Sequence, residues 1–140
     1  MPNWQPNWNN VRWDHGAADQ AVWALDRAAA ELENVLAERQ RVANEATAEW
    51  QGKYRLDFDT HLSGAIQRSR ALADEYRSAA RRIADASQHA VDEQRHRNNE
   101  QRRWEDERRD EERRERERRE REDRERRERE DRERNQKQRR

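Results

Sequence analysis

The chain has 140 residues, of which 46% are charged and 30% hydrophobic, and it has no cysteine and a formal net charge of zero. The lack of cysteine excludes disulfide bonds and thiol chemistry, and the balanced charge argues against nucleic acid as the main partner. No apolar run approaches the ~18 to 20 residues of a membrane-spanning helix, so we predict no membrane span. No apolar residue follows Trp104, which confines any hydrophobic core to the first 104 residues.

Residues 1–13 are predicted to form an extended arm. They contain the tandem repeat "PNWQPNWN", and its two prolines disfavour a regular helix. Tryptophans in a short arm seldom stay exposed to solvent and are usually covered by other residues. We therefore expect Trp4, Trp8 and Trp13 to pack on the hairpin described next or on a dimer partner, with a docking peptide for another protein as the alternative. No basic stretch followed by an apolar one is present, and we expect no cleaved secretory signal.

Residues 14–104 are predicted to form a helical hairpin. Asp14 is a good N-cap for the first helix, and apolar residues then recur at alternating steps of three and four, which is the pattern of a heptad seam. The same pattern resumes in the second half of the segment. The bulky seam residues, predicted to form the core of the hairpin or of a dimer, are Val22, Leu25, Leu32, Leu36, Phe58, Leu62, Leu72, Tyr76 and Ile83.

The reversal of the chain is predicted near residues 51–53. Trp50 continues the first seam and is expected to be its last member, whereas Phe58 does not follow from Trp50 by heptad steps. Gly52 can adopt the left-handed conformation that closes a helix C-terminus at little cost. The break in phase and the glycine together favour an antiparallel hairpin over one continuous helix.

A second apolar stripe runs beside the first on each helix. It contains Ala21, Ala28, Val35 and Val42 in the first helix and Ile66, Ala73 and Ala80 in the second. A hairpin has a single internal interface and would leave this stripe exposed, whereas four helices packed at shallow angles would cover it. We therefore predict an all-α fold in which hairpins pair into a four-helix bundle.

Residues 105–140 are predicted to form an extended charged helix or tail. All 30 residues from Glu105 to Arg134 are charged, 16 acidic and 14 arginine. In this run, 11 acidic residues have an arginine four positions later, and each such pair stabilises an isolated helix by about 0.2 to 0.5 kcal/mol. The charge pattern favours a single solvated helix over a disordered tail.

Two helices joined at Trp50-Gln51-Gly52, with an aromatic residue at Phe58, resemble the WXG family of small helical-hairpin proteins. The resemblance covers roughly residues 14–96, and Trp50 and Gly52 are its defining pair. It implies pairing with itself or with a related WXG protein, and export without a cleaved signal peptide by type VII (ESX) secretion machinery. The expected function is therefore a protein-interaction module, namely a type VII secretion substrate or the partner of one.

The family's export element, Tyr-x-x-x-Asp/Glu, has only an approximate counterpart here. Tyr76 is followed four positions later by Ala80, and the nearest match runs from His89 to Glu93, with histidine in the tyrosine position. A paired subunit could carry the export signal instead. Trp50 with the region from His89 to Glu93 would form a composite end for the secretion machinery to recognise.

The sequence gives less support to a scaffold, to a metal site and to an enzyme. The alternative is an intracellular, cytoplasmic coiled-coil scaffold with a charged helical spacer. A metal site at His89, Glu93 and His96 would need further inward carboxylates, and we expect neither a metal nor a cofactor. No glycine-rich phosphate loop is present and no serine or carboxylate can be argued to converge with a histidine, so no enzymatic activity is predicted.

Overall fold

The computed structural model describes residues 1–139. It contains two α-helices, α1 (His15–Ala46) and α2 (Lys53–Gln138), and no strand within the described residues. The chain divides into two compact units. The hairpin unit consists of residues 11–92, and the arm unit consists of residues 1–10 together with the chain from Glu93 onward. The all-α fold and its helical hairpin are as predicted from the sequence.

Helix α1 begins where its capping residue predicts. Asp14 has an extended backbone conformation, with φ −91° and ψ 94°, and its Oδ1 accepts a hydrogen bond from the backbone N–H of Ala17 at 2.9 Å. The carboxylate thereby satisfies one of the N–H groups that the first turn of a helix leaves without an intrahelical partner. The arm therefore ends at Trp13, and the helix starts at His15.

In the hairpin unit the two helices run antiparallel. Near the start of α1, Trp13 Nε1 donates a hydrogen bond to Ser87 Oγ at 2.9 Å. Farther along α1, the guanidinium of Arg77 donates to the carboxylate of Glu33, with 2.8 Å from NH2 to Oε2. The start of α1 thus lies beside the last α2 residues of the hairpin unit, as it must when the chain reverses between the helices.

Small residues make the closest contact between the helices. Ala29 is 0% exposed, Ala73 1% and Ala80 3%, and the larger buried side chains nearest the turn are Leu36 and Ile66. Alanine lets two helix backbones approach closely, and these residues have the 3.6-residue periodicity of a helix face. The core of the hairpin is therefore narrow and built largely on alanine.

This core differs from the predicted seam in α2. Ile66, Ala73 and Ala80 belong to the stripe that a lone hairpin is predicted to leave exposed, but the hairpin buries all three, which corrects that expectation. The smaller side chains form the contact because they allow the two helices to pack more closely. Of the predicted seam residues, Leu36 is buried, Leu72 is exposed, and Val22, Leu25, Leu32, Phe58, Leu62, Tyr76 and Ile83 are half-buried.

The turn is built differently from the prediction. Helix α1 ends at Ala46, and its C-cap is Thr47, which is 2% exposed and donates from Oγ1 to Ala43 O at 2.6 Å. Gly52 does have a positive φ of 86°, but it directly precedes α2, and its carbonyl accepts from Leu56 N at 3.2 Å. The glycine therefore starts α2 and does not close α1.

Trp50 consequently lies outside α1, in the connection between the helices. Its backbone N–H donates to Thr47 O at 3.0 Å, and the guanidinium of Arg55 donates to the same carbonyl. These bonds satisfy a carbonyl that the end of α1 leaves without an intrahelical partner. The expectation that Trp50 continues the helical seam of α1 was wrong, because the helix stops four residues earlier.

Helix α2 continues through the charged segment to Gln138. Every side chain from Glu112 to Arg139 is exposed. Acidic and arginine side chains pair along it at helical spacing, as in Arg113 NH2 to Asp110 Oδ1 at 3.0 Å and Arg126 NH2 to Asp123 Oδ1 at 2.8 Å. Such exposed pairs are individually weak, and their contribution depends on their number.

Candidate protein-interaction surfaces

One broad side of the hairpin unit is apolar. We call it the apolar face, and it consists of Ala21, Ala28, Val35 and Val42 on α1 and Leu72, Tyr76, Ala79 and Ile83 on α2. None of these side chains is fully buried, and Val35, Val42 and Leu72 are 47%, 48% and 39% exposed. The helices therefore leave a second, uncovered set of apolar residues beside the alanine core.

Helical geometry places both halves of the apolar face on the same side of the hairpin. The Glu33–Arg77 ion pair marks one side of the interface. Successive residues of a helix are about 100° apart, so Val35 on α1 and Leu72 on α2 each point more than about 130° away from the member of that pair on the same helix. Because both helices turn their apolar stripes away from the ion pair, the stripes form one surface.

The opposite side of the hairpin is charged. A groove there is lined by Glu33, Leu36, Ala37, Gln40, Ile66, Arg70 and Asp74. The hydrogen bond from the Arg77 guanidinium, followed by its positive charge and that of Arg70, lowers the pKa of Glu33 below its ordinary value. Charged groups on this side are therefore already paired with one another, which leaves the apolar face as the surface suited to a protein partner.

The turn carries a separate group of exposed aromatic and apolar side chains. The rings of Trp50 and Phe58 meet edge to face, with centroids 5.8 Å apart and planes at 66°. Trp50 remains 51% exposed, and the nearby Tyr54 and Leu56 are 85% and 67% exposed. The two aromatic residues on which the WXG resemblance depends are thus in contact, and Trp50 presents half of its surface to solvent.

The predicted composite export end is not assembled within one chain. Trp50 lies at the turn, whereas His89 lies beyond Ser87, which contacts the start of α1. About 36 helical residues, or roughly 54 Å, separate His89 from the start of α2. His89 is exposed, and Glu93 belongs to the arm unit, where it accepts from Arg97 Nε at 2.7 Å. Within the hairpin unit, Trp50 and His89 therefore lie far apart because the hairpin is long.

In the arm unit, residues 1–10 run antiparallel along α2. The α2 residues that bind them form what we call the arm site: Gln94, Arg97, Gln101, Arg103, Trp104 and Glu107. Gln101 Nε2 donates to Asn7 O at 2.8 Å, and Arg97 NH1 donates to Asn9 O at 2.9 Å. The side chains of α2 thus satisfy backbone carbonyls of the arm.

Two tryptophans of the arm also contact α2. Trp4 Nε1 donates to Glu107 Oε2 at 2.9 Å, and the Arg103 guanidinium lies over the Trp4 ring at 5.5 Å from its centroid. Trp8 meets Trp104 edge to face, with centroids 5.5 Å apart and planes at 89°. The hydrogen bond from Trp4, with that from Arg103, lowers the pKa of Glu107.

The arm tryptophans are predicted to pack on the hairpin or on a dimer partner, and the arm site is not among the predicted surfaces. Trp4 and Trp8 bind α2 beyond the hairpin unit, and only Trp13 bonds to a residue of the hairpin. The sequence does contain a pattern that could have indicated the arm site. The alternating steps of three and four in the hairpin part of α2 continue beyond it, at Gln94, Arg97, Gln101, Trp104 and Arg108. It was missed because most of these residues are polar.

Several other possibilities find no support in residues 1–139. No cluster of three or more histidine, cysteine or carboxylate side chains there is arranged to hold a metal. His96 instead pairs with Glu100, at 3.3 Å from Nε2 to Oε1. Neither described helix contains a stretch apolar and long enough to cross a membrane.

Comparison with known proteins adds no assignment to these surfaces. No family model matches the chain, and neither a curated protein nor a solved structure is significantly similar to it. Its function must therefore be argued from its own residues.

Proposed function

We propose that the protein is an interaction module in which two hairpins pair through their apolar faces into a four-helix bundle. The observation that supports this most directly is the apolar face itself, which both helices present on the same side. Half-exposed valine and leucine side chains in heptad register are suited to interdigitation with a second helical pair. Pairing would cover them and leave the charged side of each hairpin in solvent.

The size of the face supports a stable pair. Helix α1 has 32 residues, which gives a length of about 48 Å, and two adjacent helices are roughly 20 Å wide. The face is then on the order of 900 Å², close to the ~800 Å² per partner of a standard specific interface. A second hairpin of the same length would match it.

We further propose that this module is a type VII secretion substrate or the partner of one. The support is the Trp50-Gln51-Gly52 sequence in the connection of a helical hairpin, with Phe58 in contact with Trp50. If two hairpins pair head to tail, the turn of one copy comes close to the other copy's segment around His89. A composite recognition end would then be made by two subunits and not by one.

The pairing is tested by measuring the mass of the full chain in solution. We expect a dimer by sedimentation equilibrium at micromolar concentration. Val35→Glu with Leu72→Glu should shift the mass to that of a monomer without loss of helical circular dichroism. Ala30→Glu with Ala71→Glu, both at exposed positions away from the apolar face, should leave the dimer intact. A monomeric unmodified chain would contradict the proposal, as would equal effects of both double variants.

Export is tested separately by fractionating cultures that contain a functional or an inactive secretion ATPase. We expect the protein outside intact cells only when the ATPase is functional, and we expect Trp50→Ala or Gly52→Ala to reduce that amount. Retention inside the cell irrespective of the ATPase would favour the second candidate, a coiled-coil scaffold. The feature that supports this candidate is the exposed, charged continuation of α2 to Gln138, which would act as a spacer.

A further inference from the structure

The arm and α2 are matched in length. From the Asn9–Arg97 hydrogen bond to the contact of the Met1 ammonium with Glu111, the arm advances eight residues while the helix advances 14. Fourteen helical residues rise about 21 Å, and eight residues in a polyproline II conformation span about 25 Å. The arm is therefore close to fully extended over two heptads of α2.

The repeat within the arm places its two tryptophans at neighbouring positions of α2. Trp4 and Trp8 are four residues apart; the first contacts Arg103 and Glu107, and the second contacts Trp104. These three α2 residues lie within about one helical turn. The spacing of the tandem Pro-Asn-Trp sequence is thus the spacing that the arm site binds.

The contacts define the chemistry of the ligand. Gln101 and Arg97 bind backbone carbonyls, which any extended peptide offers. Selectivity comes from the indole rings, one hydrogen-bonded to Glu107 beneath the Arg103 guanidinium and one against Trp104. The arm site therefore recognises an extended segment with two tryptophans four residues apart.

The arm is held loosely enough to exchange. Pro6 is its only buried residue, Trp8 is 50% exposed, and its polar contacts other than the Trp4–Glu107 hydrogen bond are exposed. Segments with few buried apolar contacts and exposed hydrogen bonds open at low free-energy cost. An equivalent segment of another molecule meets the same contacts whenever the arm is released.

We propose that the arm site is a binding site for extended Trp-x-x-x-Trp segments, and that the arm of a second copy of this chain occupies it in exchange for the resident arm. The second copy is the source because its arm carries the matching repeat. The inference does not depend on the pairing of hairpins. If hairpins also pair, arm exchange becomes more favourable because pairing raises the effective concentration of the second arm.

The test mixes two complementary full-length variants. The first is isotope-labelled and carries Trp4→Ala with Trp8→Ala, which leaves its arm site without a competent arm. The second is unlabelled, carries Gln101→Ala with Trp104→Ala in the arm site, and bears a nitroxide on the single cysteine of Gln5→Cys. If the spin-labelled arm of the second variant occupies the arm site of the first, we expect its nitroxide to cause selective loss of NMR amide signals from residues 94–111 of the first variant. A matched control adds Trp4→Ala and Trp8→Ala to the spin-labelled chain and should abolish the loss.

A synthetic peptide of residues 2–10 provides an independent measurement on the first variant. It should shift the same amide resonances, and a peptide with its tryptophans three residues apart should not. Equal shifts from both peptides, or no shift at millimolar concentration, would overturn the recognition rule. Binding of the peptide without signal loss in the mixture would overturn the second copy as its source and assign the site to a segment of another protein. Signal loss independent of the tryptophans would reflect hairpin pairing alone and would also overturn the exchange.

Discussion

Helix α2 is contacted in two different ways along its length. In the hairpin unit it meets α1 through alanines that are almost completely buried. In the arm unit it meets an extended chain through hydrogen bonds, two indole rings and arginine side chains, with Pro6 as the only buried arm residue. The first contact excludes water, and the second leaves most of its polar groups at the surface.

The difference shows how one helix can carry a permanent contact and an exchangeable one. Burial of apolar surface stabilises by about 25 cal/mol per Å², whereas a surface hydrogen bond contributes about 0.5 to 1.5 kcal/mol net. The hairpin contact should therefore resist changes in solvent that release the arm. The arm contact instead gains specificity, because its donors and rings must match the register of the arm.

Overpacking the alanine core should give the largest decrease in the free energy of unfolding. We expect Ala73→Leu to lower the free energy of unfolding of the hairpin unit by about 1 to 3 kcal/mol, because the 1% exposed site has no room for three more heavy atoms. Ala71→Leu, at an exposed position two residues earlier, should change it by less than about 0.5 kcal/mol. Urea unfolding of both variants checks this. Tolerance of leucine at position 73 would show that the core lies on the bulkier stripe.

Replacement by alanine at two glycines of the hairpin unit should change its stability in opposite directions. Gly52→Ala should destabilise by about 1 to 2 kcal/mol, because φ is +86° although no atom would obstruct the added methyl group. Gly64→Ala should stabilise by roughly 0.5 to 1 kcal/mol, because Gly64 lies inside α2 and its added Cβ meets only the end of the flexible Arg68 side chain at 3.4 Å. Thermal unfolding of the two variants measures both shifts. A stabilising Gly52→Ala would contradict the left-handed backbone at the turn.

The helical hairpin could be predicted from the sequence, but its interface could not. Heptad spacing, Asp14 and Gly52 were sufficient to indicate two helices and a reversal. Spacing alone cannot choose between two adjacent apolar stripes on one helix, and the predicted core contained Leu72 and Tyr76. Packing against α1 decides otherwise, since Ala73 and Ala80 allow a closer approach than the bulkier stripe does.

The position of the arm was beyond prediction for a related reason. The tandem repeat in residues 1–10 indicated an extended segment, and its tryptophans indicated that something covers them. The partner surface on α2 is mostly polar, so a search for apolar residues passes over Gln101 and Arg97. The contacts of Trp4 and Trp8 identify this surface, and they require knowledge of which segments run side by side.

Removal of one arm contact should change the free energy of arm docking by a smaller amount, and the effect should be confined to the arm unit. We expect Gln101→Ala to weaken arm docking by about 0.5 to 1.5 kcal/mol, because the carbonyl of Asn7 loses its donor at 2.8 Å. The free energy of unfolding of the hairpin unit should not change. Hydrogen exchange of arm amides, compared with that of α1 amides, separates the two effects. Gln67→Ala, at an exposed position of α2 in the hairpin unit, is the matched control and should leave both unchanged.

The most subtle difference between the two contacts is their response to acid. The pKa of Glu107 is lowered by the Trp4 hydrogen bond and by Arg103, and that of Glu33 by the Arg77 hydrogen bond. Each contact therefore favours the carboxylate form of its glutamate. Its contribution to stability is fully present above the ordinary pKa of glutamate and is lost as pH falls through the lowered pKa.

Acidification through that range should weaken the docking of Trp4 while the hairpin persists, because the alanine core does not titrate. The indole N–H resonance of Trp4, followed by NMR during titration, should move toward its solvent-exposed position while helical circular dichroism is retained. Glu107→Gln keeps an oxygen acceptor without the titration and should make arm docking independent of pH over this range. Simultaneous loss of arm contact and hairpin helicity would mean that the two contacts are coupled through α2, and that the arm is part of the same cooperative structure.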